Sequence, residues 1–122
     1  DGKVPLRSDQ GRQVILPASE PFVIMGDLNA DPKKGDQRSG AIQQLLSHPR
    51  VHAAAATGAL VPSFQHGQTL SAQDTSIFNL RVDYVLPSQK MKVHASGICK
   101  VPLSGDKVVT DHHLVWLDAT PP

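Results

Sequence analysis

Apolar residues come in short runs along this chain, and most runs end in polar, turn-forming residues. Phe22-Val23-Ile24-Met25 is continuous, opened by Pro21 and closed by Gly26. Its shortness and β-branched content predict a strand buried on both faces. Ile42, Leu45 and Leu46 fall at helical spacing and predict a short helix from Gly40 to about Ser47, capped by Ser39 and ended by Pro49. Ala53 to Ala56 suits a further helical turn closed by Gly58. Arg81 to Leu86 reads as a second strand, stopped by Pro87-Ser88. Met91, Val93 and Ala95 alternate with polar partners and predict a third, half-buried strand. Leu114-Val115-Trp116-Leu117 predicts a fourth, with Trp116 in the core. Residues 62–79 lack period and read as a surface loop. The expected organisation is an irregular lead-in over 1–20 around Val14-Ile15-Leu16, a folded body over 21–118 and a tail over 119–122. Strands with an intervening helix place the fold in the layered α/β (α+β) class.

Composition narrows this picture. The 122 residues fit one domain, or part of one. Hydrophobic residues make up 39% of the chain, enough for a packed core and too many for a disordered tail. Lys+Arg 12 against Asp+Glu 11 excludes a dominant basic field, so any contact with nucleic acid rests on a local patch. The single cysteine, Cys99, cannot form an internal disulfide and reads as a buried small hydrophobe. No apolar run approaches the roughly 18 residues of a membrane-spanning helix. The opening, Asp1-Gly2-Lys3-Val4-Pro5, lacks an initiator Met and the pattern of a signal peptide. The expectation is a piece of something longer, with any targeting segment upstream.

Candidate chemistry sits at three places where acids or imidazoles adjoin an apolar strand: Gly26-Asp27-Leu28-Asn29, Arg81-Val82-Asp83-Tyr84 and Thr110-Asp111-His112-His113. A carboxylate in a half-buried strand is costly unless it is paired or holds a metal. Carboxylate and amide oxygens suit a hard cation such as Mg²⁺, Mn²⁺ or Ca²⁺. A His beside them can act as acid, base or charge stabiliser near neutral pH, above all when an Asp orients it. The set fits metal-assisted hydrolysis of a phosphate ester. His48 and His52 have zinc-ligand spacing, but Pro49 breaks the helix between them. His113 is expected to point away from His112. Lys33, Lys34 and Arg38 follow the first cluster and suit either a solvated loop or contacts to substrate phosphates. No Gly-x-Ser-x-Gly element and no Gly-rich phosphate loop occurs.

Taken in order, these three segments resemble the C-terminal signatures of the endonuclease/exonuclease/phosphatase superfamily, the deoxyribonuclease-I-like fold. The likeness spans residues 22–117, and the stretch from Gly26 through Pro32 and Gly35 to Ile42 is similar to a bacterial branch of that family. The resemblance implies that Asp27 activates the attacking water and that Asn29 helps hold that water and the scissile phosphate. It implies that Asp83 orients His112, that His112 contacts the phosphate, and that Asp111, with Asp27 and Asn29, supports the metal. Arg38 is carried over as a substrate-binding candidate. The implied fold is the C-terminal half of a four-layer sandwich, with mixed or antiparallel sheets flanked by helices.

The resemblance also implies what the chain lacks. Family domains are about twice this length, and their N-terminal half supplies a metal-binding Glu, a nearby Asn and a further His. Two functions are therefore expected. One is part of a metal-dependent phosphoesterase, acting on a phosphodiester or phosphomonoester, nucleic acid included. The other is a catalytically incomplete fragment that acts by binding. The missing half of the domain, or a second copy of the chain in a homodimer, is the expected partner of an exposed sheet face. The geometric expectation is that Asp83 lies within roughly 2.6–3.2 Å of a ring nitrogen of His112, with Asp27 at the same end of the sheet.

Overall fold

The computed structural model describes residues 7–34, 40–52, 73–99 and 110–122. Within them the order is β1 (Val23–Asp27), α1 (Ala41–Leu46), β2 (Asp83–Pro87), β3 (Lys92–Cys99) and β4 (Leu114–Thr120). β1 pairs with β2, and β3 with β4, as two antiparallel two-stranded sheets. This is a mixed α/β architecture, rich in antiparallel strand and poor in helix.

The core lies on one face of the first sheet. Tyr84 and Leu86 alternate along β2, and both are buried together with Ile42 of α1 and Val51. Phe22, Ile24, Leu28 and Ala30 pack against them, and all carry even numbers, as one face of an extended chain requires. The odd-numbered face is different. Met25 is 68% exposed, so β1 is buried on one face and not on both as its unbroken apolar run predicts. Among the described residues, no second layer covers that side.

α1 spans the expected helix within one residue at either end. Its N-cap is Gly40, at φ 80°, with no side-chain cap. Glycine adopts this left-handed conformation without strain. Ser39, the expected cap, and the helical turn expected at Ala53–Ala56 lie outside the described residues.

Two strand boundaries move for identifiable reasons. β2 starts at Asp83 because the preceding N–H groups bond to side chains: Arg81 N–H to Asp31 Oδ2 at 2.7 Å and Val82 N–H to Thr75 Oγ1 at 3.0 Å. β4 runs on to Thr120, into the segment expected as tail, because β3 pairs with it as far as Lys92↔Thr120. Trp116 is 37% exposed and is not the core residue expected. Its indole lies over Gly97, where a β-carbon would come within 2.6 Å of the ring. Cys99 is half-buried at the end of β3. Val14, Ile15 and Leu16 are exposed in the lead-in, where Arg7 and Gln13 form an isolated bridge.

The described part of the expected surface loop is the largest departure. Asp74, Thr75 and Ser76 are buried to 2% exposure or less. Thr75 and Ser76 hold β2 to the approach of β4, and this arrangement positions the candidate site.

Candidate hydrolytic site

The site grows from the last rung of the first sheet. Register places Asp27 directly opposite Asp83. Side chains so paired have Cβ atoms about 5 Å apart, and like charges there repel. A turn then fixes Asp27. The Asn29 N–H donates to Asp27 Oδ1 at 2.8 Å, and Asn29 itself sits at φ 48°. Asparagine tolerates that conformation better than most side chains. The Leu28 N–H donates to Val82 O at 2.8 Å and keeps the two chains together past the strand ends.

His112 arrives from the other sheet, one residue removed from the start of β4. Its backbone bridges to Ser76. The His113 N–H donates to Thr75 O at 2.7 Å, and the Ile77 N–H donates to Asp111 O at 2.9 Å. Thr75 is the common anchor. Its hydroxyl oxygen accepts the N–H groups of both Val82 and Asp83 at 3.0 Å, while its carbonyl holds the His112–His113 segment. One buried threonine thus joins the strand that carries Asp83 to the segment that carries His112.

The result is a short contact, with His112 Nδ1 2.9 Å from Asp83 Oδ2. This meets the distance expected from the sequence. The hydrogen bond to Asp83 raises the His112 pKa above its ordinary value. Partial burial opposes the rise, and the charges of Asp83, Asp111 and Asp27 add to it. The other ring nitrogen, Nε2, is 3.9 Å from Asp111 Oδ1, a carboxylate largely in water. Asp27, Asp83 and His112 each present one possible ligand atom within 4.8 Å of the others.

Three of the expected residues therefore converge. Asn29 shapes the turn through its backbone, and its side chain is exposed. Asp111 borders the cluster without belonging to the three-residue group. Arg38 lies outside the described residues. Two supporting residues are not among the expected site residues. Thr75 sits in a polar stretch without period, where nothing marks it. Asp31 heads Asp31-Pro32-Lys33-Lys34, a sequence that does signal a turn in which the side chain bonds to the backbone ahead of it.

Asp31 and Tyr84 brace the floor of the site. Asp31 Oδ1 accepts the N–H groups of Lys33 and Lys34 at 2.7 and 2.8 Å. Burial works to raise its pKa, but the backbone donors of Arg81, Lys33 and Lys34, with the Lys34 charge, outweigh it and hold the carboxyl below its usual value. The Tyr84 hydroxyl donates toward Ala30 O at 2.6 Å and lies 3.0 Å from Arg81 O. Burial pushes its pKa up to about 12, against the pull of Arg81.

The donor set fits a hard divalent cation. Asp27 and Asp83 face each other with repelling charge, and each keeps one oxygen outside the hydrogen bonds described. Such oxygens are the ligands that Mg²⁺, Mn²⁺ and Ca²⁺ favour.

The sequence model of the endonuclease/exonuclease/phosphatase family matches residues 6–112, which include the first two clusters and the third as far as His112. The chain belongs to that family. The family is one of hydrolytic, generally metal-dependent enzymes acting on phosphate esters, and the acidic cluster suits that chemistry. Comparison with curated proteins and with solved structures gave no match. Among the described residues, no helix is long and apolar enough to cross a membrane.

Proposed function

We propose that Asp27, Asp83 and His112 form the hydrolytic centre of a metal-dependent phosphoesterase, cleaving phosphodiester or phosphomonoester bonds by direct attack of water. The observation that carries this reading is the convergence of two opposed carboxylates and an Asp-bound imidazole from separate parts of the chain. Asp27 takes the role of orienting and deprotonating the water. Asn29, at the next turn, helps hold that water and the scissile group. Asp83 fixes the tautomer and direction of the His112 ring, so that Nε2 faces the phosphoryl oxygens. A raised pKa keeps more of His112 cationic, as suits a group that stabilises charge developing on phosphate. Asp27 and Asp83 would hold the cation, with Asn29 and Asp111 in support. Mg²⁺ is the first choice, with Mn²⁺ or Ca²⁺ as alternatives. When bound, it neutralises charge on the phosphoryl oxygens. Arg38 completes the substrate contacts, and nucleic acid is among the candidate substrates.

The same reading places the chain as the C-terminal half of a four-layer sandwich. The exposed Met25 face of the first sheet is then the surface for a partner sheet, from the rest of the domain or from a second copy of the chain.

The test is hydrolysis of bis(p-nitrophenyl) phosphate by the full-length protein. Activity is expected with Mg²⁺ and not with EDTA. Asp27→Ala and His112→Ala are each expected to lower the rate at least about a hundredfold. A rate indifferent to EDTA sinks the metal assignment. The fragment reading predicts that the 122-residue chain alone binds phosphate ester without metal-dependent turnover. The same assay on that chain tests it, and full activity there overturns it.

A further inference from the structure

A second polar constellation lies beyond the hydrolytic cluster on the same pair of chains. The turn Asp31–Lys34, the Gln73–Asp74 segment and Arg81 enclose a half-open cleft of about 360 Å³. It continues the first sheet. After the Leu28–Val82 hydrogen bond, the next link between the two chains is Arg81 N–H to Asp31 Oδ2. Arg81 precedes Asp83 by two residues, at most about 7 Å of extended chain.

Arg81 is the unusual member. It is only 7% exposed, and its guanidinium lies 4.7 Å above the Tyr84 ring. A guanidinium carries five N–H donors. Among the described residues, none of those side-chain donors has a hydrogen-bond partner. Arg81 lines the cleft, so that is where acceptors can reach it.

The other charges in the cleft are mostly engaged. Asp31 accepts three backbone N–H groups through its two oxygens. Lys34 Nζ is 2.8 Å from Asp74 Oδ1 and 2.7 Å from Asn79 O. Lys33 is exposed, and its ammonium has no hydrogen bond or ion pair among the described residues. Lys33, whose ammonium is unpaired among the described residues, and Arg81, a planar donor fork stacked on Tyr84 with its N–H groups unused, therefore border one cleft. A fork of that kind matches the oxygens of a phosphate. A metal would find Asp31 already bonded to three backbone N–H groups and Asp74 to Lys34.

We propose that this cleft is a phosphate subsite, in which Arg81 and Lys33 hold a phosphate group other than the one being hydrolysed. Its part in catalysis rests on the hydrolytic reading above. Given that reading, the enzyme favours substrates that carry a second phosphate close to the scissile one. Adjacent phosphates of a polynucleotide and the terminal phosphate of a small ester share that chemistry.

Calorimetric titration of the full-length protein in EDTA, with inorganic phosphate and pyrophosphate as probes, tests the subsite without turnover. Wild type is expected to bind both. Arg81→Met is expected to weaken binding at least about tenfold, since hydrogen bonds to charged groups are the strong ones. Arg81→Met removes a buried partner of Tyr84, so Lys33→Gln is measured beside it; it alters only an exposed side chain and is expected to weaken binding about threefold. Asp83→Asn and His112→Ala are expected to leave the affinity intact. No binding by wild type overturns the proposal. So does unchanged binding in Lys33→Gln, or loss of binding in His112→Ala, which would put the phosphate at the hydrolytic centre.

A kinetic arm identifies the source of the phosphate. KM values are compared for a dinucleotide with and without a 5′-phosphate, and for a nucleoside 3′,5′-bisphosphate. A lower KM for the phosphorylated dinucleotide alone points to a strand, and a lower KM for the bisphosphate alone to a small ester. Either preference is expected to disappear in Arg81→Lys. Phosphate binding without turnover of any substrate leaves the subsite standing and overturns only the hydrolytic reading.

Discussion

The two sheets are built by different rules. The β3–β4 ladder runs for seven or eight residues and alternates half-buried and exposed positions along β4. Backbone pairing and a few cross-strand contacts, such as Trp116 over Gly97, account for it. The β1–β2 ladder has only five residues per strand, yet it holds the most buried side chains, Tyr84 and Leu86. It also ends abruptly. Past Asp27 and Asp83 the backbone donors turn to side chains, Asp31 and Thr75, instead of to a neighbouring strand. A ladder that closes on side chains can place specific carboxylates at its end. A ladder that simply continues offers no such end, because along the seam its donors stay with the partner strand. The longer sheet contributes to the site only at its mouth, through His112.

The strongest way to break this contrast is Asp31→Ala. It leaves three N–H groups and the adjacent buried Arg81 without their carboxylate, and is expected to cost about 3–5 kcal/mol. Urea unfolding followed by amide exchange reads the outcome. Protection is expected to fall first in β1 and β2. Equal loss in β3 and β4 would show that the two sheets are one cooperative unit.

Thr75→Val keeps the shape and removes the acceptor for Val82 and Asp83. A loss of about 2 kcal/mol is expected, with Thr75→Ser restoring most of it. The same variant is expected to loosen the His112–Asp83 contact, visible as a lower His112 pKa by NMR. A variant that loses stability while His112 titrates as in wild type would limit Thr75 to a structural role.

Gly97→Ala tests the other sheet. The added carbon would meet the indole at 2.6 Å, so a cost of about 1–2 kcal/mol is expected by thermal unfolding. In a Trp116→Ala background the cost is expected to vanish. His112 is expected to titrate as in wild type throughout, because Gly97 and Trp116 are not among the residues that contact it.

The smallest effect is electrostatic. The His112 pKa is raised in the folded state, so the His112–Asp83 pair stabilises fully below the ordinary imidazole value of 6.5. That contribution fades as pH rises through the higher folded-state value. Asp83→Asn is expected to flatten this dependence and to lower the His112 pKa. The ring is one-third exposed, so solvent screening keeps the effect small. A stability that increases between pH 6 and 8 in wild type alone would contradict the assignment.

Local pattern determined a good deal of this protein. Short runs rich in apolar residues marked β1, β2 and β4, and the alternation of Met91, Val93 and Ala95 marked β3. The spacing of Ile42, Leu45 and Leu46 marked the helix, and three polar clusters at strand ends marked Asp27, Asp83 and His112. Each of these signals depends on side-chain periodicity or on polar groups beside apolar ones, and both can be read within a few residues. Tertiary structure alone decided the rest. Whether Met25 and Trp116 are covered depends on what packs over them, which no run of apolar residues specifies. That Asp27 stands opposite Asp83 depends on a register joining segments more than fifty residues apart. Thr75 was invisible for the same reason: its hydroxyl acts on Val82 and Asp83 and its carbonyl on His113, partners brought near it only by the folded chain. Arg81 read as an ordinary charge beside an acid until the fold buried it on Tyr84 and turned it toward a cleft.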